Sequence, residues 1–408
     1  MLAFLFLLAL APVALAQEPI RVVSQSTTHA FGESLTFRLQ AQSASPIDDL
    51  VLFYGRVGQP IVRRIYPEFS SDKALTVTHT EELERGQFAP GTRLRIYWRL
   101  HASDGSTLTT PEQYLDYAHD AHAWKRLEGQ RADLYWYGNT SDGQRARDLL
   151  EKGEQAIGRL ERELGVAVSE RVQIYAYNAQ RDMLPALSSR SDSYDERVLT
   201  LGVAVDEHTL LLLGTHRDVQ QTVAHELSHI VVGIATDNPY MELPRWLDEG
   251  LAMYAEAELP RDNRQALDQA VRNDVLLSVR SMTSYAGKAE LVDLYYGQAY
   301  SIVAFMLNEF GRDQMTALLS AFAEGVPQED ALQRTYGFGL DELDTRWRAS
   351  LGLGPRRPRT SQNPLADAVS QASRRPRAGG VCSATGVALL PAVGAVWLGR
   401  RRTPRTSA

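Results

Sequence analysis

The sequence predicts an α+β chain in which a purely β segment comes first and a mixed segment follows, closing in helices. Three observations predict it. From Ile20 to about Tyr117 apolar and polar residues alternate with period two, and no helical stretch interrupts them. Beyond about Arg131, strand-like and helix-like runs take turns, and from Pro260 to Leu351 the pattern is almost wholly helical. At 408 residues and 44% apolar content, the chain is long enough for two or three domains with proper cores.

Residues 1–16 read as a signal peptide. "MLAFLFLLALAPVALAQEP" has an apolar run from Leu2 to Leu10, a break at Pro12, and Ala14-Leu15-Ala16 ahead of Gln17, the pattern of a cleaved export signal. No Lys or Arg precedes the run, so the α-amino group alone supplies positive charge. Residues 17–118 contain "SLTFRLQAQ", "DLVLFYGRV", "ALTVTHTEE" and "RLRIYWRLHA", separated by Gly, Pro, Asp and Ser. Short strands at this spacing predict an immunoglobulin/fibronectin-like β-sandwich, with Asp104-Gly105 turning a hairpin. His29, His79 and His101 lie too far apart to suggest a shared ligand.

Residues 119–354 change character. "RADLYWYG" and "RVQIYAYN" read as strands, and "DGQRARDLLEKGEQAIGRLERELG" between them as an amphipathic helix closed by Gly165. "TLLLLG", Thr209 to Gly214, is a short apolar strand and a candidate edge on which an extended peptide would be added by backbone hydrogen bonds. Thr215 to Asp218 has the spacing of a capping box, with Asp in place of Glu, and starts a helix at Val219.

Residues 355–380 are rich in Pro, Arg and Ser and form a linker. Val381 to Leu398 carries 18 residues without a charge, enough to cross a bilayer core of about 30 Å. Arg400-Arg401-Arg402 would keep residues 400–408 cytoplasmic. Residues 381–399 are thus expected to be a membrane anchor or a processed C-terminal sorting segment, holding an exported body at the cell surface. Residues 355–408 hold ten Arg and one Asp, so the first 354 residues carry −16 of a net −7. An acidic body argues against a nucleic-acid partner. Cys382 is the sole cysteine, so no internal disulfide forms.

"TVAHELSHIVVG" places His225 and His229 four apart, on one helical face, where two imidazoles converge on an ion. Glu226 stands where it would take a proton from water at that ion. A third ligand is sought downstream in "LPRWLDEGLAMYAE", where Pro244 suits a first helical turn and Glu249 projects from the helix; Glu256 is the weaker rival. Asp248 reads sooner as a solvated helix-start carboxylate than as a group orienting a histidine. Glu242, Glu256 and Glu258 read as surface charge.

His225-Glu226-Leu227-Ser228-His229 followed by Trp246-Leu247-Asp248-Glu249-Gly250 resembles the gluzincin metallopeptidases of the MA clan. The resemblance spans roughly residues 125–350. It implies a zincin-like peptidase domain with a mixed sheet, an active-site helix and a helical half, one zinc ion on His225, His229 and Glu249, and Glu226 as general base. Tyr296 in "YYGQAYSIVAFM" resembles the clan's oxyanion-binding tyrosine, with Tyr295 and Tyr300 as competing choices. A peptide or protein substrate is expected. The aminopeptidase branch carries G-x-M-E-N upstream of its zinc helix, whereas only "GVAVDEH" stands here, which favours an endopeptidase over an aminopeptidase. From another class, an inactive zincin-fold scaffold that binds a partner remains open, and the intact Glu226 counts against it. Oligomeric state is not legible.

Overall fold

A computed structural model describes residues 20–60, 62–188, 201–238, 243–283 and 289–356. The expected signal peptide and C-terminal anchor lie outside the described residues, and among those no helix is long and apolar enough to cross a membrane. The chain divides between Asp120 and Ala121 into two compact units.

The first unit is all β. Strands β1 (Ile20–Ala30), β2 (Ser34–Arg56), β3 (Arg63–Ile65), β4 (Asp72–Glu82), β5 (Thr92–Ala102), β6 (Thr107–Thr109) and β7 (Gln113–Tyr117) wrap one core as a sandwich-like sheet. Alternation places the core: Leu94, Ile96, Trp98 and Leu100 of β5 point inward between exposed or half-buried neighbours. The two layers are joined through β2. Its first part pairs with β1 and β4, Ile47 is shared between Asp72 of β4 and Ala102 of β5, and beyond it the strand pairs with β5 and β3. The change of partners falls at Pro46, which has no N–H to offer a ladder. Asp104-Gly105 does turn the β5–β6 hairpin, with Gly105 at φ 86°.

The second unit is built on a five-stranded sheet in the order β11 (Gly202–Asp206), β12 (Thr209–Leu213), β10 (Val172–Tyr177), β9 (Ala132–Trp136), β8 (Lys125–Glu128). Helix α1 (Thr140–Leu164) makes the crossover between the parallel strands β9 and β10. Its start is fixed by Asn139, whose side chain accepts from the Ser141 and Asp142 N–H groups, and its end by Gly165 in the left-handed region. All five residues of β12 are buried because the strand lies between β10 and β11. Thr209 to Gly214 is therefore interior and offers no open edge; the edge strand is β11, antiparallel to β12.

Among the described residues the longer helices after the sheet are α2 (Val219–Thr236), α3 (Arg245–Ala255), α4 (Arg261–Asn273), α5 (Val292–Phe310), α6 (Arg312–Ala323), α7 (Gln328–Tyr336) and α8 (Leu340–Ser350). Helix α2 starts at Val219 as expected, but not by the expected box. Asp218 is the N-cap and its side chain caps nothing, while the Thr215 hydroxyl donates to the Asn178 carbonyl at the end of β10. Pro244 occupies the N-cap of α3, just ahead of its first turn. Helices α3 and α5 approach closely at Gly250, where a Cβ would stand 2.6 Å from the Ala299 carbonyl oxygen.

Candidate metal centre

Helix α2 is apolar on most sides, so His225, Glu226 and Ser228 are carried into the core along with Val223, Leu227 and Val231. Helix α3 packs against it and brings Glu249, 1% exposed, to the same place. One ligand atom from each of His225, His229 and Glu249 lies within 4.8 Å of the others. The Glu249 Oε2 oxygen is 3.5 Å from His225 Nε2 and 3.9 Å from His229 Nε2. Two donors bound at about 2.0–2.1 Å to one tetrahedral zinc stand roughly 3.3 Å apart, so small side-chain shifts suffice.

The far nitrogens fix which atoms face the site. His225 Nδ1 is 2.8 Å from Glu256 Oε1, and His229 Nδ1 is 2.9 Å from Asp248 Oδ1. With each Nδ1–H donated to a carboxylate, each Nε2 is left as a lone-pair donor toward the centre. Asp248 is thus not a solvated helix-start carboxylate, nor is Glu256 surface charge; the Glu256 side chain is 8% exposed. Sequence held the signal for Glu256: it follows Glu249 by seven residues, two helical turns, and so shares its face. Glu256 is turned to the back of His225 instead of to the centre. Glu258 is exposed, and Glu242 lies outside the described residues.

Burial disfavours charge on both imidazoles. Even so, Glu249 and Glu256 push His225 well above its ordinary value, and Asp248 with Glu249 pushes His229 up to about 9. Burial raises Glu226, against the lowering influence of His229 and His225. Three buried polar atoms at this place have no hydrogen-bond partner: His225 Nε2, Glu226 Oε1 and Glu249 Oε2. Buried polar atoms are rarely left unpaired, and a two-imidazole, one-carboxylate donor set suits zinc. The residues fit the ion.

Strand β11 lies directly over this helix. A Cβ on Gly202 would stand 2.7 Å from Thr222 Cγ2 and 3.0 Å from Glu226 Cγ, and the Ala204 backbone hydrogen-bonds the Glu226 carboxylate. The three tyrosines separate in space. Tyr295 is 2% exposed and its hydroxyl donates to the Met282 carbonyl; Tyr300 faces Tyr254, ring centroids 6.2 Å apart; Tyr296 faces His225 at 6.4 Å.

Residues 152–352 match the Peptidase MA superfamily. No curated protein matches the chain. Among solved structures, the chain is similar to an M1 zinc metallopeptidase from Deinococcus radiodurans, with 14% identity over 85% of this chain and 97% of that one and a TM-score of 0.37. A mutant of an M1 zinc metallopeptidase from that organism, bound to a Tyr-Ser-Ala substrate, aligns over the same shares at 14% identity and a TM-score of 0.33. Catalytically inactive OgpA from Akkermansia muciniphila, in complex with an O-glycopeptide, aligns at 9% identity and a TM-score of 0.19 over 25% of this chain and 30% of that one.

Proposed function

We propose that residues 152–352, which match the Peptidase MA superfamily, form a zinc metallopeptidase domain, and that the chain is an endopeptidase that cuts extended peptides at a single zinc ion. The observation that carries this reading is the convergence of His225, His229 and Glu249 beside a buried, unpaired Glu226 oxygen. Zinc, when bound, supplies the Lewis acidity that activates water and polarises the scissile carbonyl.

The chain's own residues do the rest. Asp248 and Glu256 hold the two imidazoles in one tautomer and one orientation. Glu226, made more basic by burial, accepts the proton of the attacking water and delivers it to the leaving amine. Tyr296 donates its hydroxyl hydrogen bond to the carbonyl oxygen as charge develops there. The outer edge of β11, which pairs only with β12 among the described residues, adds the substrate as a further strand.

An aminopeptidase needs a fixed carboxylate to hold the substrate's α-amine. The one acid within β11, Asp206, accepts from the His208 N–H in the β11–β12 turn and is used there. This supports internal cleavage. The test is a matched pair of peptides, one with a free and one with an acetylated N-terminus, digested with and without a chelator. Equal, chelator-sensitive cleavage of both is expected; cleavage confined to the free form would make the protein an aminopeptidase.

We further propose that the enzyme is exported and held at a membrane by residues 381–399. The signal pattern, the uncharged span and the arginine cluster after it agree in orientation. Fractionation of cells expressing the full chain and a chain ending at residue 380 tests this: the shorter one should leave the membrane fraction.

A further inference from the structure

Residues 274–283 link α4 toward α5, and they are gripped from two sides. From α5, Gln298, fully buried, accepts from the Leu277 N–H at 2.7 Å and donates to the Leu277 carbonyl at 3.0 Å. Tyr295, on the same face of α5, donates to the Met282 carbonyl at 2.9 Å. From the other side comes the chain that leaves α8. Arg348, 2% exposed, reaches Asp274 at 2.6 Å and the Gly354 carbonyl at 3.0 Å, folding the exit segment back. Arg356 then donates to the Leu276 carbonyl at 2.8 Å, to the Leu277 carbonyl at 2.5 Å, and to the two Asp344 oxygens at 2.7 and 2.8 Å. Asp344 also accepts the Val279 N–H at 3.0 Å.

The Leu277 carbonyl is the meeting point: Gln298 and Arg356 donate to the same oxygen. Gln298 lies two residues beyond Tyr296 on α5, and the turn Val279–Thr283 packs on α3, which carries Glu249. We propose that Arg356 is a positioning residue, a strap that fixes the Leu276–Thr283 segment against α5 and so holds Tyr296 in line with His225. This rests on the reading of Tyr296 as the oxyanion donor. A donor of that kind must be placed closely, since a shift of about 1 Å can cost up to about 100-fold in rate.

The arrangement also says why losing the strap need not unfold the domain. Without Arg356 the Leu277 carbonyl keeps its bond from Gln298 and Asp344 keeps the Val279 N–H, so neither is left wholly unpaired. What is lost is the fork that holds two consecutive carbonyls, those of Leu276 and Leu277, from the second side, together with the ion pair to Asp344.

The test is a mutant cycle in the full, zinc-loaded chain, with kcat, KM and zinc stoichiometry measured for the parent, Arg356→Ala, Tyr296→Phe and the double variant. Arg356→Ala should keep its zinc and its KM within about twofold while kcat falls about tenfold. In the double variant kcat should be no lower than in Tyr296→Phe alone, within about twofold, because both changes remove one function. If Arg356→Ala does not accumulate folded, Arg356→Lys, which keeps the charge and loses the fork, takes its place in the cycle. Parental kcat in the strap variant beside a slow Tyr296→Phe overturns the strap alone, as do losses that multiply in the double variant or loss of zinc. Parental kcat in Tyr296→Phe overturns the tyrosine's role and the strap's route with it.

Discussion

Glu226 and Glu249 are buried carboxylates of one centre, and their removal should fail in different ways. Glu226→Gln leaves the two imidazoles and Glu249 in place, so zinc stoichiometry should match the parent while turnover falls about 10²–10⁴-fold through lost proton transfer. Glu249→Ala leaves two ligands, and zinc itself should drop out. Metal analysis of both proteins beside the parent distinguishes the roles; full zinc in Glu249→Ala would displace it from the ligand set. Glu256→Ala should weaken zinc about 10–100-fold in a chelator competition, because His225 loses the acceptor that fixes its ring. At this scale helical spacing in the sequence paired the two histidines, and the resemblance to the gluzincin motifs pointed to Glu226 and Glu249. The sequence did not settle the second carboxylates: Asp248 lies on α3 and Glu256 caps its end, and only the packing of α3 on α2 decides whether they meet solvent or an imidazole. The choice among three neighbouring tyrosines likewise needed the partner of each ring and hydroxyl.

Elements fail where their contacts are closest. Gly250 faces the α5 backbone, so Gly250→Ala should push α5 away from α3 and cost about 1–3 kcal/mol, read as a lowered denaturation midpoint. Helix α1 is tied to the start of β9 through charge. Burial pushes the Glu161 carboxyl up, yet the Arg131 guanidinium 2.6 Å away and the Val168 N–H hold it below its ordinary value. A carboxyl whose folded pKa lies below its unfolded one contributes fully above the unfolded value, about 4.5, and loses that contribution as pH falls through the folded value. Glu161→Gln should therefore be destabilised against the parent at pH 7, and the gap should narrow as the pH falls below about 4.5, in denaturation followed across that range. The end of α1 at Gly165 could be read from local chemistry, whereas α2 starts at Val219 without the box that pointed there. Strand order could not be read: a run of four leucines is the same sequence whether it edges a sheet or, as in β12, sits inside one.

The two units have separate cores, one around Leu35, Phe37, Trp98 and Tyr117, the other around the β9–β10–β12 strands and the helices. A fragment of residues 121–356 should therefore fold, bind zinc and cut the acetylated peptide; a fragment that binds zinc but cuts nothing the full chain cuts would give the first unit a part in catalysis. The fragment ends after Arg356 because that side chain belongs to the body, although composition places it in the linker. The period-two and 3.6-residue patterns separate the two halves in the sequence, while the single strand that serves both β layers follows from long-range pairing. Recognition along β11 would have one more effect. A strand edge reads main chain, which every protein has, so discrimination passes from side-chain identity to whether a client's main chain is already engaged in its own fold. A client segment held shut by about 5.5 kcal/mol offers itself in roughly one molecule in 10⁴. Natively folded proteins would then be spared by their own stability, and damaged or nascent chains would be cut first.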